Sequence, residues 1–265
     1  MFIDSHCHLN FPELSDQMGP LREAMSAAQV DRALVISTRL ETFPEVHALA
    51  TRYDNFWCTV GVHPDEENTQ EPSVEDLIER AALPKVMGIG ETGLDYYRLG
   101  QRTWADMEWQ RARFRVHIEA AQRTRLPLVI HTRSAAQDTL SILREQGEDG
   151  SSGSAGGVFH CFTETADVAR NALDLGFFIS FSGILTFKSA QDLRDVAQFV
   201  PLDRTLIETD SPYLAPVPYR GKTNNPSLVP WVAKQIAELK GLSVEAVAQA
   251  TTSNTERLFK LTAST

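Results

Sequence analysis

Short runs of apolar and β-branched residues recur along this chain, and several close on a side chain that can bind a metal or move a proton. His6 and His8 follow Phe2-Ile3, Glu91 follows Val86 to Gly90, and His131 follows Leu128 to Ile130. His160 follows Val158-Phe159, and Asp210 lies just past Thr205 to Glu208. A run that closes on a polar residue is the pattern of a buried parallel strand whose last side chain faces a site. In an eight-stranded α/β barrel all strand C-termini converge on one face, where side chains from different strands build the active site. Six imidazoles and carboxylates delivered in this way describe a metal centre.

The rest of the chain supports that architecture. Strands are predicted at Phe2–Asp4, Ala33–Ser37, Trp57–Val62, Val86–Gly90, Leu128–Ile130, Val158–Phe159, Phe178–Phe181 and Thr205–Glu208. Helical apolar spacing fills Leu21–Gln29, Ser73–Ala82, Met107–Arg123, Ala135–Gln146, Glu164–Leu175 and Ala190–Phe199. C-terminal helices are expected at Leu228–Lys240, Ser243–Ala250 and Asn254–Leu261, with Ser243 as a helix start. Strand–helix alternation with no break in composition reads as one α/β domain over residues 1–265, a (β/α)8 TIM barrel. The length of 265 residues is close to the ~250 typical of that fold. The Gly/Ser-rich tract at 147–157 reads as a mobile surface loop on the face away from the site.

No stretch approaches the ~18 consecutive apolar residues of a membrane span, and no basic-then-apolar leader opens the chain. Cys7, Cys58 and Cys161 are odd in number and unpatterned, which argues against a disulfide framework. A cytoplasmic protein with no membrane partner is expected. Strand alternation would turn Cys7 and Cys161 away from their neighbouring histidines, as buried packing residues. The net charge of −10 speaks against a surface that holds long duplex DNA. Phosphates can still be handled locally if bound metal supplies the positive charge.

Residues at i and i+2 on a strand project to one side, so His6 and His8 can reach a single ion. Glu91 after Gly88-Ile89-Gly90 would be a costly buried charge unless paired or ligated. Two ligand sets suggest themselves. One is His6, His8, Asp210 and Glu91; the other is Glu91, His131 and His160. A carboxylate shared between two ions is the arrangement used for in-line displacement at phosphorus. Asp210 can ligate, take a proton from the attacking water, or do both. Glu208, two residues earlier, would orient a ligand histidine from deeper in the barrel. His63, in Gly61-Val62-His63-Pro64, has no partner in either set and is assigned a substrate-contacting or proton-donating role. Arg98, Arg133, Arg220 and Lys222 are candidate phosphate contacts, and Tyr97 a candidate for stacking on a base.

Taken together, these motifs resemble the TatD family of metal-dependent deoxyribonucleases, in its YcfH-type branch, within the amidohydrolase-like barrels. The likeness runs from Met1 to about Leu261. It rests on Asp4–His8, Gly61–Pro64, Gly90–Tyr97, Pro127–Arg133, His160–Phe162, Ser180–Gly183, Glu208–Tyr213 and Asn254–Phe259. The resemblance implies a (β/α)8 fold and metal residues at His6, His8, Glu91, His131, His160 and Asp210. It also implies hydrolysis of DNA phosphodiesters by a metal-activated water, with short single strands or ends as substrate and an exonuclease as the expected form. Two divalent ions are expected, with Zn, Mn and Mg all compatible with the donors. The loop Arg220-Gly221-Lys222-Thr223-Asn224-Asn225-Pro226 departs from the family pattern and lacks one of its basic residues. The competing expectation is an amidohydrolase or esterase acting on a C–N or carboxyl-ester bond of a small molecule or an aminoacyl-tRNA. Glu91 stands where such amide hydrolases often carry a carbamylated lysine, which favours phosphoryl chemistry.

Overall fold

The apolar runs are buried on both faces, as strands must be when helices cover one side and the opposite wall of a barrel covers the other. The computed structural model describes residues 1–261; positions 262–265 of the expected domain lie outside the described residues. The strands are β1 (Phe2–Cys7), β2 (Val30–Val35), β3 (Phe56–Val60), β4 (Val86–Asp95), β5 (Leu128–Arg133), β6 (Gly157–Phe159), β7 (Phe178–Phe181) and β8 (Thr205–Ile207). They pair in parallel in sequence order. The seam between β8 and β1 is drawn together just beyond β8, where Asp210 N–H donates to His6 O (3.0 Å) and His8 N–H to Ser211 O (2.8 Å). The expected TIM barrel is the observed fold.

Helices α1 (Pro12–Ser15) and α2 (Met18–Ala27) follow β1, and α3 (Phe43–Arg52) follows β2. Then α4 (Val74–Ala81), α5 (Glu108–Thr124), α6 (Ala136–Glu145), α7 (Ala166–Asp174) and α8 (Gln191–Phe199) follow β3 to β7 in turn. Two more, α9 (Val229–Lys240) and α10 (Val244–Phe259), follow β8. None is long and apolar enough among the described residues to cross a membrane. Residues from every strand, including Ile3, Leu34, Trp57, Val129, Phe178 and Leu206, join Phe259 and Leu261 in one cluster. The end of α10 thus plugs the barrel opposite the strand C-termini.

Several local expectations are corrected. The two helices expected at 243–250 and 254–261 are one, because the hydroxyls of Thr251 and Thr255 bond back to Val247 O (2.9 Å) and Thr251 O (2.8 Å). That pairing removes the competition which makes a Thr-Thr-Ser stretch look like a break. Ser243 caps α10 by accepting from Ala246 N–H at 3.1 Å. Helix α3 was not anticipated, although Phe43, Val46 and Ala50 form its buried stripe. The 147–157 tract is a surface loop as expected, and the sequence did not show its anchor: the buried Glu148 carboxylate accepts from Ala155 N–H (3.1 Å), Gly156 N–H (2.9 Å) and Gln122 (2.9 Å).

Two strands are irregular where they carry the site. In β1, Asp4 pairs with Ala33 and Cys7 with Val35; in β4, Ile89 pairs with Leu128 and Thr92 with Ile130. Each places one extra residue against its neighbour, the signature of a bulge that re-aims a side chain. The extra residues fall around His6 and Glu91. Gly90 makes the second bulge possible, since at its φ of +152° a Cβ would lie 2.7 Å from Val129 O.

Beneath the end of β3, the buried His117 of α5 accepts from Val62 N–H (3.0 Å) and donates from Nδ1 to Arg113 O (2.8 Å). Burial pushes its pKa down to about 4, against about 6.5 when unfolded. The unfolded chain therefore binds the extra proton, and stability falls as pH drops from about 6.5 towards 4. Urea unfolding at pH 7 and pH 5 should show His117→Gln losing less stability on acidification than the wild type, by roughly 2 kcal/mol. Equal acid losses in the two proteins would contradict the neutral, buried imidazole.

Candidate metal centre

Glu91 stands at the middle of the cluster, 2% exposed. Its Oε2 lies 3.4 Å from His6 Nε2 and 3.8 Å from His8 Nε2. Its Oε1 lies 2.7 Å from His160 Nε2, 3.3 Å from His131 Nδ1 and 3.4 Å from His63 Nε2. Asp210 reaches the first group, with Oδ1 3.4 Å from His8 Nε2 and 3.6 Å from His6 Nε2. The two oxygens of one carboxylate thus face two different sets of imidazoles. Donor atoms within 4.8 Å of one another gather as His6/His8/Glu91, His63/Glu91/His131 and His6/His160/Glu208. His63, expected to stand apart from both sets, lies at the second. His160 stacks on His6, with ring centroids 3.8 Å apart.

The outer nitrogen of each ring fixes what the inner one can do. His8 Nδ1 lies 3.3 Å from Ile36 O, His131 Nε2 3.0 Å from Asp95 Oδ2, and His160 Nδ1 3.2 Å from Glu208 Oε1. Each partner is an acceptor, so each outer nitrogen carries the hydrogen and the inner one offers a lone pair to the cluster. His63 is the reverse. Its Nδ1 accepts from Asp65 N–H at 3.1 Å, so in the neutral ring Nε2–H is a donor aimed into the site. By this criterion His8, His131 and His160 suit a cation, whereas His63 suits an anionic oxygen.

The electrostatics ask for positive charge. Burial pushes the Glu91 carboxyl up, but His160, His63 and His6 outweigh it and hold it well below the usual carboxylate range. Asp210 is lowered in the same way, burial being outweighed by His8 and His6. Conversely, burial lowers the His160 imidazole, but Glu91 and Glu208 raise it well above its ordinary value. A pocket that draws protons onto imidazoles attracts a divalent cation by the same field, and the two compete. Both nitrogens of His6 and Nε2 of His160 are buried without a hydrogen-bond partner, which is what open ligand positions look like. The donor set fits divalent metal.

Supporting groups complete the site. The buried Asp4 accepts from His6 N–H (3.2 Å), Thr209 N–H (2.9 Å) and Thr209 Oγ1 (2.5 Å), tying β1 to the end of β8; burial pushes it up to about 8. Glu208, read from the sequence as orienting a histidine, also accepts from Cys161 N–H at 2.6 Å. Asp95 was missed, yet it sits four residues after Glu91 on β4 and holds both His131 and, at 3.4 Å, Arg133 Nε. Arg113, also missed, donates to His63 O at 2.9 Å. Cys7 is buried as expected. Cys161 is only partly so, because β6 ends at Phe159 and strand alternation no longer governs it; its Sγ lies 3.2 Å from Ser182 Oγ.

The cationic candidates lie around the mouth and none touches Glu91. Arg133 stacks on the exposed Tyr97 ring at 4.0 Å, Arg98 is exposed beside it, and Arg220 lies 4.0 Å over Phe187. Lys222 is exposed on the β8–α9 loop.

If Asp95 fixes the His131 tautomer, Asp95→Ala should weaken divalent-ion binding by about 10- to 100-fold. Calorimetric titration of Mn²⁺ into chelator-stripped protein measures this; unchanged affinity would refute the role.

A family model described as TatD related DNase matches residues 3–260. The metal-dependent hydrolase YcfH of Escherichia coli K12 is 45% identical over 99% of this chain and 97% of its own. A protein named 3'-5' ssDNA/RNA exonuclease TatD, from a Rahnella strain, is 32% identical over 91% of each chain. The crystal structure of YJJV, a TatD homologue from Escherichia coli K12, superposes with a TM-score of 0.88 at 29% identity, covering 98% of both chains. The chain belongs to the TatD family of metal-dependent hydrolases.

Proposed function

We propose that this hydrolase cleaves phosphodiester bonds of DNA, acting as an exonuclease on short single strands or ends. The observation that carries the reading is Glu91, whose two oxygens face two separate groups of imidazoles. His6, His8, Asp210 and one Glu91 oxygen would hold one divalent ion; His131, His160 and the other oxygen would hold a second. Such ions lower the pKa of water towards ~7 and offset the charge that builds at phosphorus. The name of the Rahnella relative, an exonuclease of single-stranded DNA and RNA, supports this substrate class.

The remaining work falls to the protein. Asp210, the more open of the two central carboxylates at 16% side-chain exposure, orients the attacking water and takes its proton. Water oxygen bonds to phosphorus in line as the bond to the leaving sugar oxygen breaks, and solvent returns a proton to that oxygen. His63 donates from Nε2 to a phosphoryl oxygen; burial pushes its pKa down to about 3, so it acts as a hydrogen-bond donor rather than as an acid. Arg98, Arg133, Arg220 and Lys222 hold phosphates on either side, and Tyr97, braced by Arg133, offers its ring to a base. A net charge of −10 leaves no broad basic face for duplex, which suits single strands or ends.

Chelator-stripped protein should release nucleotides from a short single strand only when Mg²⁺, Mn²⁺ or Zn²⁺ is restored. Asp210→Asn should lower kcat by about 10²- to 10⁴-fold while the protein stays folded. No release with any ion, from folded and metal-loaded protein, would overturn the nuclease reading in favour of carboxyl-ester or amide substrates.

A further inference from the structure

Beside the metal centre lies a cavity of about 470 Å³ that places the phosphate contacts Arg220 and Lys222 next to an aromatic wall. Phe187 from the β7–α8 loop and Tyr213, Arg220 and Lys222 from the β8–α9 loop line it, with Glu13 of α1. We infer that this cavity is a nucleotide subsite, holding the base and phosphate of a unit of the substrate strand next to the cleavage point.

Its position supports this. Tyr213 N–H donates to Asp210 O at 3.1 Å, and the Tyr213 ring meets Phe11 edge-on at 6.2 Å. Phe11 in turn stacks on His8 with centroids 5.1 Å apart. A group lying in the cavity is therefore one aromatic residue removed from the ligand cluster, the spacing of an adjacent unit in a polymer. Its chemistry fits as well. Tyr213 is 56% exposed, and an exposed aromatic in a cavity wall is a stacking platform for any base. Arg220, braced on Phe187, and Lys222 supply the positive charge for a phosphate. The Glu13 carboxylate repels a phosphate, which leaves that group to the Arg220–Lys222 part of the lining. The volume falls within the ~300–1,000 Å³ range of small-molecule sites.

The cavity is also built in advance. The buried Asn224 donates from Nδ2 to Thr209 O (2.9 Å) and Tyr213 O (2.6 Å), pinning the loop to the end of β8. Val217 N–H donates to Thr186 Oγ1 at 2.8 Å, and Gly183 packs so tightly that a Cβ there would lie 2.1 Å from Leu214 O. The loops bearing Phe187 and Tyr213 are thereby laced together before any ligand arrives, which limits the entropy lost on binding. The polarity of the strand is not part of the inference.

This subsite deepens the nuclease reading and rests on it, so the test must separate the two. Thymidine 5′-monophosphate and 2-deoxyribose 5-phosphate, which lacks the base, are titrated into metal-loaded full-length protein. The wild type should prefer the nucleotide by roughly 10- to 100-fold. Tyr213→Ala should abolish that preference and raise KM for single-stranded DNA to match, with kcat within about threefold of wild type, whereas Tyr213→Phe should keep both the preference and the KM. Equal affinity for the two probes, or a preference that survives Tyr213→Ala, would overturn the subsite. A Tyr213-dependent preference in a protein that hydrolyses no DNA would establish the subsite and overturn the nuclease reading instead.

Discussion

Burying Glu91 among imidazoles is the constraint on which the rest of this structure depends. An isolated carboxylate taken out of water costs several kcal/mol, and it stays ionised only if positive charge or strong donors surround it. Here Asp210, Asp95 and Glu208 lie close by, so carboxylates crowd the mouth of the barrel among the imidazoles. Protons on histidine answer part of that demand and divalent ions answer it better. The fold supplies five imidazoles from four different places in the chain, which no single helix or hairpin could do.

Delivery of those groups relies on irregularity as much as on regular strands. Straight alternation gives one inward side chain in two. Bulges in β1 and β4 turn His6 and Glu91 to where they meet, and the seam bonds of His6 and His8 to Asp210 and Ser211 lock the first ligand group to the last strand. Glycines make this approach feasible: a Cβ at Gly61 would lie 2.4 Å from the carbonyl carbon of Gly90. The remote face is held separately by Phe259 and Leu261, so stability and chemistry occupy opposite ends of the barrel.

The strands were legible because burial on both faces leaves unbroken apolar runs, and the central carboxylate and imidazoles because each follows such a run. Their outer partners were harder to see. Asp95 looks like any loop carboxylate until β4 is found to continue past Glu91, and the tautomer of His63 depends on a backbone amide at Asp65 that carries no side-chain signal. His117 and Arg113 act on β3 from a helix far away in sequence. The anchor of the Gly/Ser tract was hidden because it is Glu148, one side chain, rather than a matter of composition.

Two claims bear on the chemistry, that Glu91 bridges and that the mouth is lined for a nucleic-acid strand, and the second is empty without the first. Anomalous diffraction from crystals of the protein grown with Mn²⁺ tests the first most directly. Two peaks flanking the Glu91 carboxylate, one nearer His6 and His8 and the other nearer His131 and His160, are the predicted result. A single peak, or two peaks that do not share Glu91, would contradict the account.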